Sequence, residues 1–98
     1  MPLWASRMKL KFFATYRDVT GCKEMDVPAE SDVWTLLELL GRRFGAPMRE
    51  LLFTPDGSEI GENAIVLVNG RNIVHLSGRE TWLRDADVVS IFPMVAGG

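Results

Sequence analysis

Val33, Leu36, Leu37, Leu40 and Phe44 recur at the spacing that places apolar side chains along one stripe of a helix, and this is the strongest periodic signal in the 98 residues. The flanks agree with it. Ser31 is a good N-cap, Asp32 in the first turn suits the helix dipole, and Arg42 and Arg43 favour the C-terminal end. Gly45 supplies the stop ahead of Pro47. A lone amphipathic helix must bury its stripe against something, so the remaining segments have to provide an apolar face.

Those segments read as strands. From Met8 the residues alternate, with Met8, Leu10, Phe12 and Ala14 on one side and Lys9, Lys11 and Phe13 on the other. Gly21 breaks the next stretch. A second alternation follows, Met25 and Val27 against Glu24 and Asp26, close enough to pair with the first despite the long Thr15–Gly21 connection, and Pro28 ends it. Beyond the helix, Met48–Phe53 is expected to add a short helical turn and Thr54-Pro55-Asp56-Gly57 to form a loop turn. Ala64–Val68 is a buried strand by composition, Asn69-Gly70 signals a type I′ hairpin, and Arg71–Val74 is the expected return strand. Ser77-Gly78 and Asp85 mark turns. Asp87–Phe92 is the last strand, with Val89 and Ile91 on one face, Val88, Ser90 and Phe92 on the other, and Pro93 as its end.

The order strand, strand, helix, strand, strand, strand implies an α+β domain, and a β-grasp satisfies it: a mixed sheet of four to five strands packed on one main helix. In that topology the first and last strands lie side by side in the centre of the sheet. The organisation read from the pattern is an N-terminal extension at residues 1–7, a β-grasp domain at 8–93 and a tail at 94–98.

Composition removes several classes of function. A net charge of -2 without a run of Lys or Arg argues against nucleic acid. No apolar stretch approaches the roughly 20 residues needed to cross a bilayer, and Met1–Arg7 lacks the apolar region of a signal peptide, so a cytoplasmic location is expected. Cys22 alone cannot form an internal disulfide, and with His75 as the single histidine no metal site is expected. Trp34 and Trp82 read as packing residues, and Met25, Met48 and Met94 show no ligand spacing.

The tail Val95-Ala96-Gly97-Gly98 is slim and uncharged and follows a firm strand without a spacer. Such a segment can thread a narrow channel, and glycine lets the backbone approach a reactive group closely; an ordinary frayed terminus has the same composition. A carboxylate is a poor electrophile. Activation by ATP would convert Gly98 to an acyl-adenylate, and a persulfide could then place sulfur on it without using a cysteine side chain. No glycine-rich turn leads into a lysine, so no phosphate loop is present. The ATP site would have to lie on a partner, and no cofactor is expected to be bound to this chain.

Three segments carry a resemblance. Met8-Lys9-Leu10-Lys11-Phe12-Phe13-Ala14 followed by Tyr16-Arg17 resembles the opening of the molybdopterin synthase small subunit (MoaD) family, within the ubiquitin-like MoaD/ThiS superfamily. Val66-Leu67-Val68-Asn69-Gly70-Arg71 is similar to its central hairpin, and Asp87 to Gly98 to its closing motif. The resemblance implies a β-grasp fold and a sulfur carrier that is not catalytic alone. It implies adenylation of Gly98 by an adenylyltransferase related to ubiquitin-activating enzymes (MoeB-like), thiocarboxylation by a sulfur donor, and docking on a large catalytic subunit (MoaE-like) to form the dithiolene of molybdopterin. Gly98, together with Gly97, would be the sulfur-bearing end. Met94 departs from the pattern, standing where many members have a second proline, and residues 1–7 lie outside it.

Alternation adds a surface. With Leu10, Phe12, Val89 and Ile91 turned to the helix, Phe13 and Phe92 face outward on neighbouring strands and form an aromatic patch at the base of the tail, unless Leu3 and Trp4 fold over it. The partner-binding set expected is Phe13, Arg17, Phe92, Pro93, Met94, Val95 and Ala96. Arg17 is expected to meet an acidic partner group or to remain a solvated charge. The same tail chemistry also serves carriers for thiamine, tRNA thiolation or cysteine, or a protein modifier joined to lysines through Gly98, and the sequence leaves these open.

Overall fold

The computed structural model describes residues 6–94. Its elements are β1 (Arg7–Phe12), α1 (Thr15–Thr20), β2 (Glu24–Pro28), β3 (Ser31–Asp32), α2 (Val33–Phe44), α3 (Ala46–Leu52), β4 (Ile65–Val68), β5 (Arg71–Asn72), β6 (Trp82–Leu83) and β7 (Val88–Phe92). Short 3-10 turns occupy Ile73–His75 and Gly78–Glu80. Five strands form one sheet in the order β2-β1-β7-β4-β5, and β3 pairs with β6 in a separate two-stranded ribbon.

β1 and β7 run parallel at the centre, with Leu10 opposite Val89 and Phe12 opposite Ile91. The neighbouring pairs β1–β2, β4–β7 and β4–β5 are antiparallel. Period-two alternation puts Met8, Leu10 and Phe12 of β1, Val66 and Val68 of β4, and Val89 and Ile91 of β7 into the core, where they join Leu36, Leu37 and Leu40 of α2. This is a ubiquitin-like β-grasp, in which one helix fills the concave face of a mixed sheet.

Several local expectations change. β1 begins at Arg7, so Arg7 is not the end of an extension: its N–H donates to Asp85 Oδ1 at 2.9 Å and its carbonyl accepts from the Ala86 N–H at 2.8 Å. Ser6 is already buried. The strand ends at Phe12, and Ala14 leaves the core face at φ 53. The Thr15–Gly21 connection is mostly helix. α1 is held by the fully buried Tyr16, whose hydroxyl lies 2.6 Å from the Asn63 carbonyl and 3.1 Å from that of Leu51. Gly21 caps it in the left-handed region.

The N-cap of α2 is Asp32 rather than Ser31, because Ser31 is paired with Leu83 while the Asp32 Oδ1 accepts the Thr35 N–H at 2.8 Å. α3 starts two residues earlier than expected, at Ala46, with Pro47 in its first turn, where a missing N–H costs nothing. Asn69 and Gly70 both have positive φ, 51 and 84, as a type I′ turn requires. The return strand stops at Asn72 because its side chain turns back to accept the Val74 N–H at 3.0 Å and opens a 3-10 turn.

Candidate functional site

The central position of β7 decides where the chain leaves the domain. β1 holds it on one side to Ile91 and β4 on the other to Phe92, and Pro93 then ends the ladder. Met94 follows and is exposed. Val95, Ala96, Gly97 and Gly98 lie outside the described residues, as do Leu3 and Trp4.

At that exit the expected aromatic pair is present. Phe13 and Phe92 stack with ring centroids 4.2 Å apart and planes 11° apart. The Phe13 N–H donates to the Ile91 carbonyl at 3.2 Å, which carries Phe13 one residue past β1 alongside the end of β7. Each ring covers part of the other, so both are half-buried rather than fully exposed. Arg17 of α1 places its guanidinium carbon 5.9 Å from the Phe13 centroid, within cation–π range. The sequence offered an acidic partner or solvent for Arg17; within the domain its neighbour is the aromatic pair. Across the sheet, Phe92 is paired with Ile65 of β4, a half-buried side chain on the same open face.

Elsewhere the open face is mixed, with Leu67 and Val88 half-buried on it beside Lys9, Lys11 and Ser90. Lys9 Nζ lies 3.3 Å from Glu24 Oε1, both side chains about half exposed, a geometry that contributes little stability. Lys11 is half-buried beside it.

Asp56 is held down to about 2, first by the Thr54 hydroxyl and then by Ser58, and it organises the Thr54–Ser58 turn. The Asp32 carboxyl is lowered by hydrogen bonds from Thr35, and the Tyr16 phenol is raised by burial. Each of these is accounted for by local structure. Among the described residues no three His, Cys, Asp or Glu side chains gather as a metal site, and no helix is long and apolar enough to cross a membrane. Cys22 is half-buried and His75 is exposed. Trp34 lies edge-on to Phe53 with the Arg79 guanidinium 3.6 Å from its ring centroid. Trp82 is 51% exposed and donates from Nε1 to Glu30 Oε2 at 3.2 Å, so it is a rim residue rather than a core one. What the described residues bring together at this point is the Phe13–Phe92 stack with Arg17 beside it, where β7 ends.

Sequence reading missed the apolar side chains on the far side of Met94. Ile65 was visible only as part of a continuous apolar run, and Val74, taken as a strand residue, sits instead on a 3-10 turn and is 71% exposed.

Comparison with known proteins places this geometry in context. Residues 10–98 match the ThiS family. Small archaeal modifier protein 3 of Haloferax volcanii is 39% identical over 93 residues, 93% of this chain and 98% of that protein. A protein of Archaeoglobus fulgidus named as a candidate sulfur carrier is 38% identical over 76 residues, 76% of this chain and 84% of that protein. Among solved structures, small archaeal modifier protein 1 of Methanosarcina acetivorans superposes with a TM-score of 0.77 at 32% identity, covering 95% of this chain and 97% of that one. A candidate molybdopterin converting factor, subunit 1, of Pyrococcus furiosus superposes with a TM-score of 0.72 at 28% identity, covering 93% and 100%.

Proposed function

Since the chain belongs to the ThiS family of ubiquitin-like carriers, we propose that it works through the carboxyl group of Gly98, which is adenylated, thiocarboxylated and then used to deliver sulfur. The single observation that supports this reading most is that the central strand β7 ends at Phe92, in the Phe13–Phe92 stack, a few positions ahead of Gly97-Gly98 in the sequence. A partner gripping that stack holds the root of the tail in a fixed direction.

The proposed sequence is as follows. The Gly98 carboxylate attacks the α-phosphorus of ATP on an adenylyltransferase of the ubiquitin-activating class (MoeB-like), and pyrophosphate leaves. A persulfide sulfur from the donor displaces AMP, and a thiol cleaves the resulting acyl disulfide to leave the thiocarboxylate. The chain contributes binding and reach, and the catalytic groups belong to its partners. As client we propose the large subunit of a molybdopterin synthase (MoaE-like), with the thiocarboxylate building the dithiolene of molybdopterin; the Pyrococcus relative supports this.

A second reading is favoured by the modifier relatives: the activated Gly98 is passed to lysine amines of other proteins. Both readings share the adenylation step and part company after it.

The test is intact mass after incubation with ATP, the adenylyltransferase and a sulfur donor. A gain equal to replacing one oxygen by one sulfur, absent when Gly98 is deleted, is expected. No gain with several competent activating enzymes overturns the carrier. Lysine adducts in a lysate, without sulfur transfer to a pterin precursor, would move the client to the modifier reading.

A further inference from the structure

Val74 and Met94 are two of the three large apolar side chains exposed among the described residues, at 71% and 52%. They line one groove of about 430 Å³, shared with Ile60, Ile65 and Ile73. Its rim carries Glu59 and Glu62. The one cation on that rim, Arg79, is already engaged: its Nη1 donates to the Ser58 carbonyl at 2.8 Å and its guanidinium lies over Trp34. The groove therefore offers an apolar floor and an unmatched acidic edge. It is also continuous with the aromatic patch, since Ile65 lines it and is the cross-strand partner of Phe92.

We propose that this groove is a second docking site for the enzyme that activates Gly98, occupied by an apolar side chain of that enzyme with a lysine or arginine beside it facing Glu59 and Glu62. The inference rests on activation of Gly98 as set out above and deepens it. Two arguments select this occupant. Gly98 is four positions beyond Met94 in the sequence, a reach of about 13 Å when extended. A typical interface covers about 800 Å² per partner, a disc of roughly 16 Å radius. An active site that holds Gly98 thus belongs to a protein whose footprint takes in Met94 and the groove it lines. Charge supplies the second argument, because an acidic rim with its own cation already bonded is complemented by a basic flank.

Such an arrangement brackets the tail root, with the Phe13–Phe92 stack on one side and the Val74–Met94 groove on the other. Two anchors fix the tail direction where one would leave it free to swing. An apolar side chain seated in a desolvated groove is the kind of contact that dominates binding energy, while the glutamates act on association rate and salt dependence.

The experiment is ATP–pyrophosphate exchange by the adenylyltransferase, with the full-length protein as the varied substrate. Val74→Asp is expected to raise KM about tenfold with kcat unchanged, because Val74 touches no reacting atom. Glu59→Lys with Glu62→Lys is expected to raise KM and flatten its dependence on salt. Thermal unfolding of each variant, together with the milder Val74→Gln, separates docking from folding. Wild-type KM for Val74→Asp, with Phe92→Asp still impaired, overturns the groove and leaves activation of Gly98 standing. A lowered KM overturns it in favour of the chain's own tail as occupant, and a dimer that Val74→Asp dissociates overturns it in favour of a second copy. Wild-type protein that supports no exchange overturns activation of Gly98 and the groove together.

Discussion

Phe13 and Phe92 lie face to face, 4.2 Å between ring centroids, at the point where the central strand ends and the tail begins. Their sequence separation is nearly the length of the domain, and the parallel pairing of β1 with β7 brings them together. A stack in this position ties the root of the tail to the first strand.

Phe92→Asp is expected to weaken binding of the partner that engages this face by tenfold or more, since buried aromatic anchors contribute about 2 kcal/mol or more each. The fold should survive, because Phe92 is only half-buried and the core side chains of β7 are Val89 and Ile91. A binding titration paired with a thermal melt checks it. Unchanged affinity would remove the stack from the docking surface.

The alternation of β1 and β7 makes this pair legible in the sequence, because parity alone decides which side chains share a face. The helix Val33–Phe44 and the core positions Leu10, Phe12, Val89 and Ile91 were legible for the same reason: regular elements several residues long leave a measurable period. What stayed hidden had no period to show. α1 is six residues and is held by the hydroxyl of Tyr16 reaching carbonyls 35 and 47 residues away. The ribbon of β3 and β6 has two residues a side, and its pairing of Asp32 with Trp82 is a long-range fact. The Val74–Met94 groove comes from a turn after β5 meeting the end of β7, which no local pattern encodes.

Tyr16→Phe is expected to cost about 2 kcal/mol, because the hydroxyl's two acceptors, the Asn63 and Leu51 carbonyls, lose their donor in a part-buried site. Burial also raises the phenol above its ordinary value of 10.0. The folded state therefore keeps its proton at pH values where the unfolded chain has released it. Stability from this group is complete below pH 10.0 and falls as pH climbs through the raised folded value. Urea unfolding at about pH 8 and about pH 11 should show the wild type losing more stability than Tyr16→Phe.

Asp32→Ala removes the N-cap of α2 and is expected to lower stability by about 1 kcal/mol at neutral pH. Hydrogen bonds from Thr35 hold the carboxyl below its ordinary value of 3.8. The contribution is present above that value and is lost as pH falls through the lower folded one, so wild type and Asp32→Ala should converge in acid. Asp32→Asn keeps a capping oxygen without the titration and should show little acid dependence of its own. Denaturant melts of the three proteins across the acid range test this.

Gly41 of α2 and Arg49 of α3 are in direct contact, and they are expected to be strongly coupled. A Cβ added at Gly41 would stand 2.9 Å from Arg49 Cγ and 3.5 Å from the Phe53 ring. The arginine cannot simply swing away, because its Nη1 donates to the Gly41 carbonyl at 3.0 Å. Alanine is the better helix former by about 1 kcal/mol, so propensity and packing oppose each other at this position. With Arg49 in place packing should win: Gly41→Ala is expected to be destabilising by about 1 kcal/mol as the side chain and its hydrogen bond are displaced. With Arg49→Ala in the background the obstruction is gone, and the same change should stabilise by about 0.5 kcal/mol. The double-mutant cycle should then give a coupling of about 1.5 kcal/mol, which denaturant unfolding of the four proteins measures directly. A coupling near zero would mean that the arginine is free to leave and that α3 is positioned by Met48 and Leu52 alone.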